Sequence, residues 1–146
     1  MFDIVDCMGP FMSAEQARER ICSALDAIDA AHEALRQTPS DVVGNAFRVD
    51  FAERLEAQDR LNRGLMYRVF GEIADPPDEV GCVPAVRGIL RARLRIPPRE
   101  VTRRFRFAAR LRPRRSLTGA PLAPELPSLA AAVAAGAVGE DHIRAV

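Results

Sequence analysis

The chain has no tryptophan, one tyrosine and no lysine, and its 146 residues include only two histidines and three cysteines. With so few aromatic rings to anchor a core, alanine, leucine and valine are expected to fill it, which favours packed helices over a sheet sandwich. The cysteines, Cys7, Cys22 and Cys82, form an odd set without CxxC spacing. That pattern argues against both a disulfide frame and a zinc site. Cys22 falls within a helical pattern with no activating base near it in sequence, so it reads as a small core residue rather than a nucleophile.

Catalytic signatures are equally scarce. His32 and His142 have no partner at ligand spacing, whereas a metal site needs several such donors converging; both read as surface residues. There is no nucleophile elbow, no glycine-rich phosphate loop and no dinucleotide fingerprint. The carboxylates of the first half fall on the wet faces of helices. The expectation is therefore a non-enzymatic chain with no catalytic residues, no metal, no cofactor and no small-molecule substrate. The first twelve residues carry Asp3 and Asp6 but no basic leader. The apolar stretch from Leu129 to Val138 is far short of the ~20 residues a membrane span needs. A cytoplasmic protein without membrane contact is expected.

What the sequence does contain is helical periodicity and arginine. Ser13 and Gln16 have capping-box spacing. Ala17, Ile21, Ala24, Ile28, Ala31 and Leu35 then form one apolar seam in alternating steps of four and three, expected to pack on another helix. Pro39 ends that element. A second long helix is predicted from Phe47 to Ile73, with Phe51, Leu55, Leu61, Leu65, Val69 and Ile73 as its apolar positions, stopped by Asp75-Pro76-Pro77-Asp78. A third should run from about Pro84 to Leu94 on Val86, Ile89, Leu90 and Leu94. A fourth should begin at Pro98 and reach about Leu111, with Val101, Phe105, Ala108 and Ala109 inward. A fifth is predicted over Leu129 to Ala135, capped by Gly136, and a sixth from about Glu140. The predicted fold is all-α: two long antiparallel helices, then a bundle of shorter ones. The predicted layout is a tail over 1–12, a helical domain over 13–112, a proline-rich linker over 113–127 and a further helical segment, cut short, over 128–146.

The net charge of +1 hides an asymmetry. Residues 1–86 carry a net −8, residues 87–115 hold 12 arginines against Glu100 alone, and the remainder carries −2. Absent lysine beside abundant alanine, arginine, glycine and proline matches the codon bias of a GC-rich genome, so clustering is more informative than abundance. On the fourth helix Arg99, Arg103, Arg106 and Arg110 fall in a narrow arc, a stripe about 16 Å long. Arg87, Arg91 and Arg95 share one side of the third helix, and Arg112, Arg114 and Arg115 continue the charge. These ten are the candidate nucleic-acid contacts, because guanidinium forks match phosphate oxygens. Two other readings stay open: ion pairing with the acidic half, internally or across a dimer, and simple solvation. The Ile96-Pro97-Pro98 turn between two helices, with Leu90, Leu94, Ile96 and Val101 apolar, has the outline of a helix-turn-helix. It departs from that motif at Arg91, Arg95 and Arg104, where small, glycine and core residues are usual.

The run Arg91-Ala-Arg-Leu-Arg-Ile-Pro-Pro-Arg-Glu-Val-Thr-Arg-Arg-Phe-Arg106, followed by Leu126 to Gly136 and Glu140-Asp-His142, resembles the mycobacterial thirteen-E-twelve repeat family, the actinobacterial domain of unknown function numbered two-two-two. The resemblance covers nearly the whole chain. It implies an all-helical module that normally precedes an HNH nuclease domain in mobile-element-like genes. The HNH histidine, asparagine and metal ligands have no counterparts in this sequence, so no catalytic residue carries over. What it implies is a truncated front module. Its partners would be DNA, a separately encoded HNH nuclease part, or a second copy of the chain. The competing expectation is a protein-interaction module, or a non-functional remnant, whose arginines pair with acidic helices.

Overall fold

Ser13 opens the first helix as its spacing to Gln16 requires. In the computed structural model, which describes residues 12–74 and 83–145, the Gln16 amide donates to the Ser13 hydroxyl at 3.1 Å and the Ser13 amide donates to the Gln16 side chain at 2.9 Å. This reciprocal pair satisfies amides that a helix start leaves open. Helix α1 spans Ala14–Gln37. It stops where Thr38, extended ahead of Pro39, turns both its amide (3.1 Å) and its hydroxyl (2.8 Å) onto the Ala34 carbonyl.

The chain divides into two compact units, Met1–Arg48 and Val49–Val146. In the first, α1 buries no residue. The periodicity of its seam predicts a neighbouring helix, yet Ile21, Ile28 and Leu35 are exposed. Cys22 is likewise an exposed free thiol and not a core residue, because it follows Ile21 one step off the seam. His32 and, in the second unit, His142 are exposed. Cys7, Cys82, the 1–11 tail and the Asp75 to Asp78 stop signal lie outside the described residues.

Helix α2, Asn45–Ala74, supplies the long edge of the second unit, followed by α3 (Val83–Leu94), α4 (Pro98–Leu111), β1 (Arg114–Arg115), β2 (Pro121–Leu122), α5 (Pro127–Ala134) and α6 (Glu140–Arg144). The described residues are thus mostly helical, as predicted. The proline-rich stretch predicted to be a linker contains a small antiparallel hairpin, with Arg114 opposite Leu122 and Arg115 opposite Pro121.

Aromatic rings share the core with the expected aliphatic residues. Tyr67, Phe107, Val133 and Ile143 form one buried cluster, and Phe70, Val101, Phe105 and Ala108 form another. The Tyr67 and Phe107 centroids are 6.2 Å apart edge to face, and those of Phe70 and Phe105 are 4.9 Å apart. Each ring removed from water contributes on the order of 2–3 kcal/mol. The expected inward set on α4 holds for Val101, Phe105 and Ala108, but Ala109 is exposed and Phe107 is buried instead.

On helix α2, Ile73 packs on the second cluster as predicted, but most of its other aliphatic positions face solvent. Leu55, Leu61, Leu65 and Val69 are exposed, while Tyr67, Phe70 and Gly71 are buried. Glycine sets the choice. Gly64 and Gly71 lie two turns apart on one face, and a Cβ at Gly64 would sit 2.6 Å from the Val133 carbonyl oxygen of α5. A side chain there would block this approach. At the far end of α5, Gly136 (φ 66°) ends the helix. Its amide donates to the Val133 carbonyl at 3.1 Å, and that of Ala137 to Ala132 at 2.9 Å, the paired bonds of a left-handed C-cap.

Gly64→Ala should therefore lower the stability of the second unit by about 1–3 kcal/mol in urea titration. Gly88→Ala on α3, where an added Cβ meets nothing within 4 Å, should instead raise it by about 0.5–1 kcal/mol. Equal effects at the two positions would count against close packing of α5 on α2.

Candidate nucleic-acid interface

Helix α3 ends at Leu94, and α4 begins only four residues later at Pro98. So tight a turn needs a left-handed residue, and Arg95 takes that conformation (φ 53°). Glycine normally serves there, and a residue with a Cβ costs on the order of 1–2 kcal/mol more. Packing offsets the strain, because the next residue, Ile96, rests on the Phe70–Phe105 cluster with Leu90. Arg104, the other departure from the helix-turn-helix pattern, keeps a half-buried place. Its guanidinium lies 5.8 Å from the Phe70 ring centre, and its Nε donates to Glu100 at 2.8 Å. Arg91 is simply exposed.

On α4, burial on two sides leaves one strip open: Arg99, Thr102, Arg106 and Ala109, in steps of three, four and three. Arg99 and Arg106 have no ion pair among the described residues, and Arg106 lies 5.5 Å from the Phe107 ring centre. Arg103 and Arg110, predicted to share the stripe, are half-buried and already engaged. Arg103 forks onto Glu100 through Nε and Nη2, both at 2.8 Å, and also meets Glu140. Arg110 donates to Glu125 at 3.0 Å.

The arginines of α3 and of the turn that follows it stand more freely. Arg87, Arg91 and Arg95 are exposed, as is Arg93, which the helical arc did not single out. The Arg87 guanidinium rests 4.8 Å above the Phe105 ring, and none of the four is ion-paired among the described residues. Arg112 is half-buried and engaged. Arg114 donates to the Ala123 carbonyl at 2.9 Å, and Arg115 is exposed on β1.

An open cleft of about 530 Å³ runs beside α4, lined by Arg99, Glu100, Thr102, Arg103, Arg106 and Arg144. Thr102 was legible in the spacing, three residues after Arg99 and four before Arg106. Arg144 was not, because α6 reaches the cleft only through the tertiary fold. Its anchor is Glu140, which accepts from Arg144 at 2.8 Å and also pairs with Arg63 of α2 and Arg103 of α4. One carboxylate thus ties three helices. Among the described residues, no group of histidine, cysteine and carboxylate side chains could hold a metal ion.

The family described as "Domain of unknown function (DUF222)" matches residues 49–146. The chain belongs to this family. The matched span coincides with the second compact unit, so the DUF222 domain holds the helix pair, both aromatic clusters and every arginine of the block. Uncharacterized protein Rv3466 of Mycobacterium tuberculosis is 34% identical over 130 residues, covering 89% of this chain and 59% of its own length. Uncharacterized protein Mb1614c of Mycobacterium bovis is 32% identical with the same coverage. A longer relative, uncharacterized protein Rv1945 of Mycobacterium tuberculosis, is 32% identical over 129 residues, 88% of this chain and 28% of its own. The chain therefore spans little more than half the length of the first two of these relatives, and less of the third. No solved structure matches it. No helix among the described residues is long and apolar enough to cross a membrane.

Within the DUF222 domain, the hydrogen bond from Arg103, helped by Arg104, holds the Glu100 carboxyl down at about 2, from an ordinary 4.5, against the opposing effect of burial. Burial pushes the Tyr67 phenol up. A depressed carboxylate stabilises the fold fully above about 4.5 and loses that contribution as pH falls towards about 2. The urea midpoint should therefore drop across this window, and Glu100→Gln should flatten the drop. Superimposable acid limbs for the two proteins would show that Glu100 is not held this way.

Proposed function

We propose that this DUF222 domain is a non-catalytic module that associates with duplex DNA through the arginine surface of α3 and α4. The observation that carries the reading is that Arg91, Arg93, Arg95, Arg99 and Arg106 are exposed and have no ion pair among the described residues. The carboxylates Glu100, Glu125 and Glu140 are paired with Arg103, Arg104, Arg110 and Arg144. An uncompensated cationic strip attracts a polyanion, and guanidinium groups suit phosphate. The short turn between α3 and α4, with Arg95 in the left-handed position, supports a helix-turn-helix mode in which the Arg99, Thr102 and Arg106 strip meets the duplex. In the same reading, cleavage chemistry belongs to an HNH nuclease part with which the domain is associated, in a mobile-element setting.

Arginines touching four to six phosphates predict a log–log salt slope of roughly −4 to −5 for a random duplex. Replacing Arg91, Arg99 and Arg106 with Ala should flatten it by about 0.9 for each phosphate that is no longer neutralised, whatever the duplex sequence. Replacing Arg36, exposed in α1 and paired with Glu33, should leave the slope unchanged. If fluorescence anisotropy detects no binding at about 50 mM salt, where phosphate attraction is strong, the DNA reading fails for this chain.

A further inference from the structure

Helix α1 lies in the first unit and buries none of its 24 residues. Ile21, Leu25, Ile28 and Leu35 are 56, 55, 38 and 45% exposed. A continuous aliphatic face in water is a partner surface awaiting cover.

Its sequence says what shape that cover has. Ala17, Ala24 and Ala31 recur every seven residues, and Ile21, Ile28 and Leu35 recur at the same interval four residues later. Set two copies antiparallel about a twofold axis near Asp26. Ala17 then meets Leu35 of the second copy, Ile21 meets its Ala31, and Ala24 meets its Ile28. All six layers pair one small residue with one large. A parallel pair would instead alternate Ala–Ala layers, which leave gaps, with large–large layers, which hold the helices apart. The same antiparallel operator sets Leu25 beside Leu25 on one flank and Ala27 beside Ala27 on the other.

Glu19, Asp26 and Glu33, also seven apart, occupy the opposite, solvent-facing side. From this self-complementarity we infer that α1 is a self-association arm whose occupant is α1 of a second copy, in antiparallel register. The inference uses residues of the first unit only and stands apart from the DNA reading.

Sedimentation equilibrium of the full chain should show a reversible dimer with a dissociation constant in roughly the micromolar range. Ile28→Asp should weaken it at least tenfold while leaving the thermal midpoint of the dilute protein unchanged. With Cys7, Cys22 and Cys82 changed to Ser, Leu25→Cys should form a disulfide-linked dimer on oxidation, because only the antiparallel register brings position 25 against itself. Ser23→Cys should not. A monomer throughout the concentration range, a dimer indifferent to Ile28→Asp, or a dimer that Leu25→Cys cannot link would each overturn the inference.

Discussion

Phe105 and Phe107 cannot both be buried on one side of a helix, since residues two apart point about 200° from each other. Both are only 5% exposed, in different clusters, so α4 must have protein on two sides. The rest of the second unit follows from that sandwich. Helix α2 supplies Tyr67 to one cluster and Phe70 to the other. Helices α5 and α6 close the first cluster with Val133 and Ile143, while Leu90 of α3 and Ile96 of the turn close the second. What remains of α4 for solvent is the narrow strip from Arg99 to Ala109. The candidate interface is thus what the core leaves uncovered.

The same sandwich decides which arginines are neutralised. Arg103 sits on the margin of the buried arc and Arg104 between Phe107 and Ala108 within it, with side chains 21 and 25% exposed. A guanidinium losing that much water needs a partner. Glu100 is one turn away on the same helix and serves both. Glu140 is recruited from α6 and brings Arg63 and Arg144 with it. Arg99 and Arg106, pointing outward, lose little water and need no carboxylate. On α4, pairing follows local burial.

Local chemistry was legible in the sequence. The Ser13–Gln16 box, the Pro98 to Leu111 helix and the Gly136 cap were each readable because a few adjacent residues settle them. Choices made at a distance were not. Of the aliphatic residues of α2, Ile73 packs on the second cluster but Leu55, Leu61, Leu65 and Val69 stay exposed, because the core formed where Gly64 admits the α5 backbone, and nothing near Gly64 announces that neighbour. Phe107 escaped because a one-sided periodicity assumes one core. Arg103 and Arg110 fitted the stripe by angle, yet Glu140, 37 positions beyond Arg103, and Glu125 claimed them. Arg95 reads as a departure from a glycine turn, but Ile96 and the prolines impose the glycine-like conformation on it.

Exposed aliphatics on α1 and α2 look alike in a residue count and differ in their period. On α2, Leu61, Leu65 and Val69 advance by fours. Steps of four overshoot a 3.6-residue turn by about 40° each, so the row winds round the helix. Such a row suits short crossing neighbours, and the end of α5 meets it at one point, where Gly136 approaches Leu61. On α1 the steps alternate between four and three, so the row keeps its bearing along the helix and suits one long helix lying alongside. Alanine alternating with isoleucine or leucine then adds a requirement that a generic partner would not meet: its own large residues must fall opposite the alanines. A second α1, reversed, meets it at all six layers.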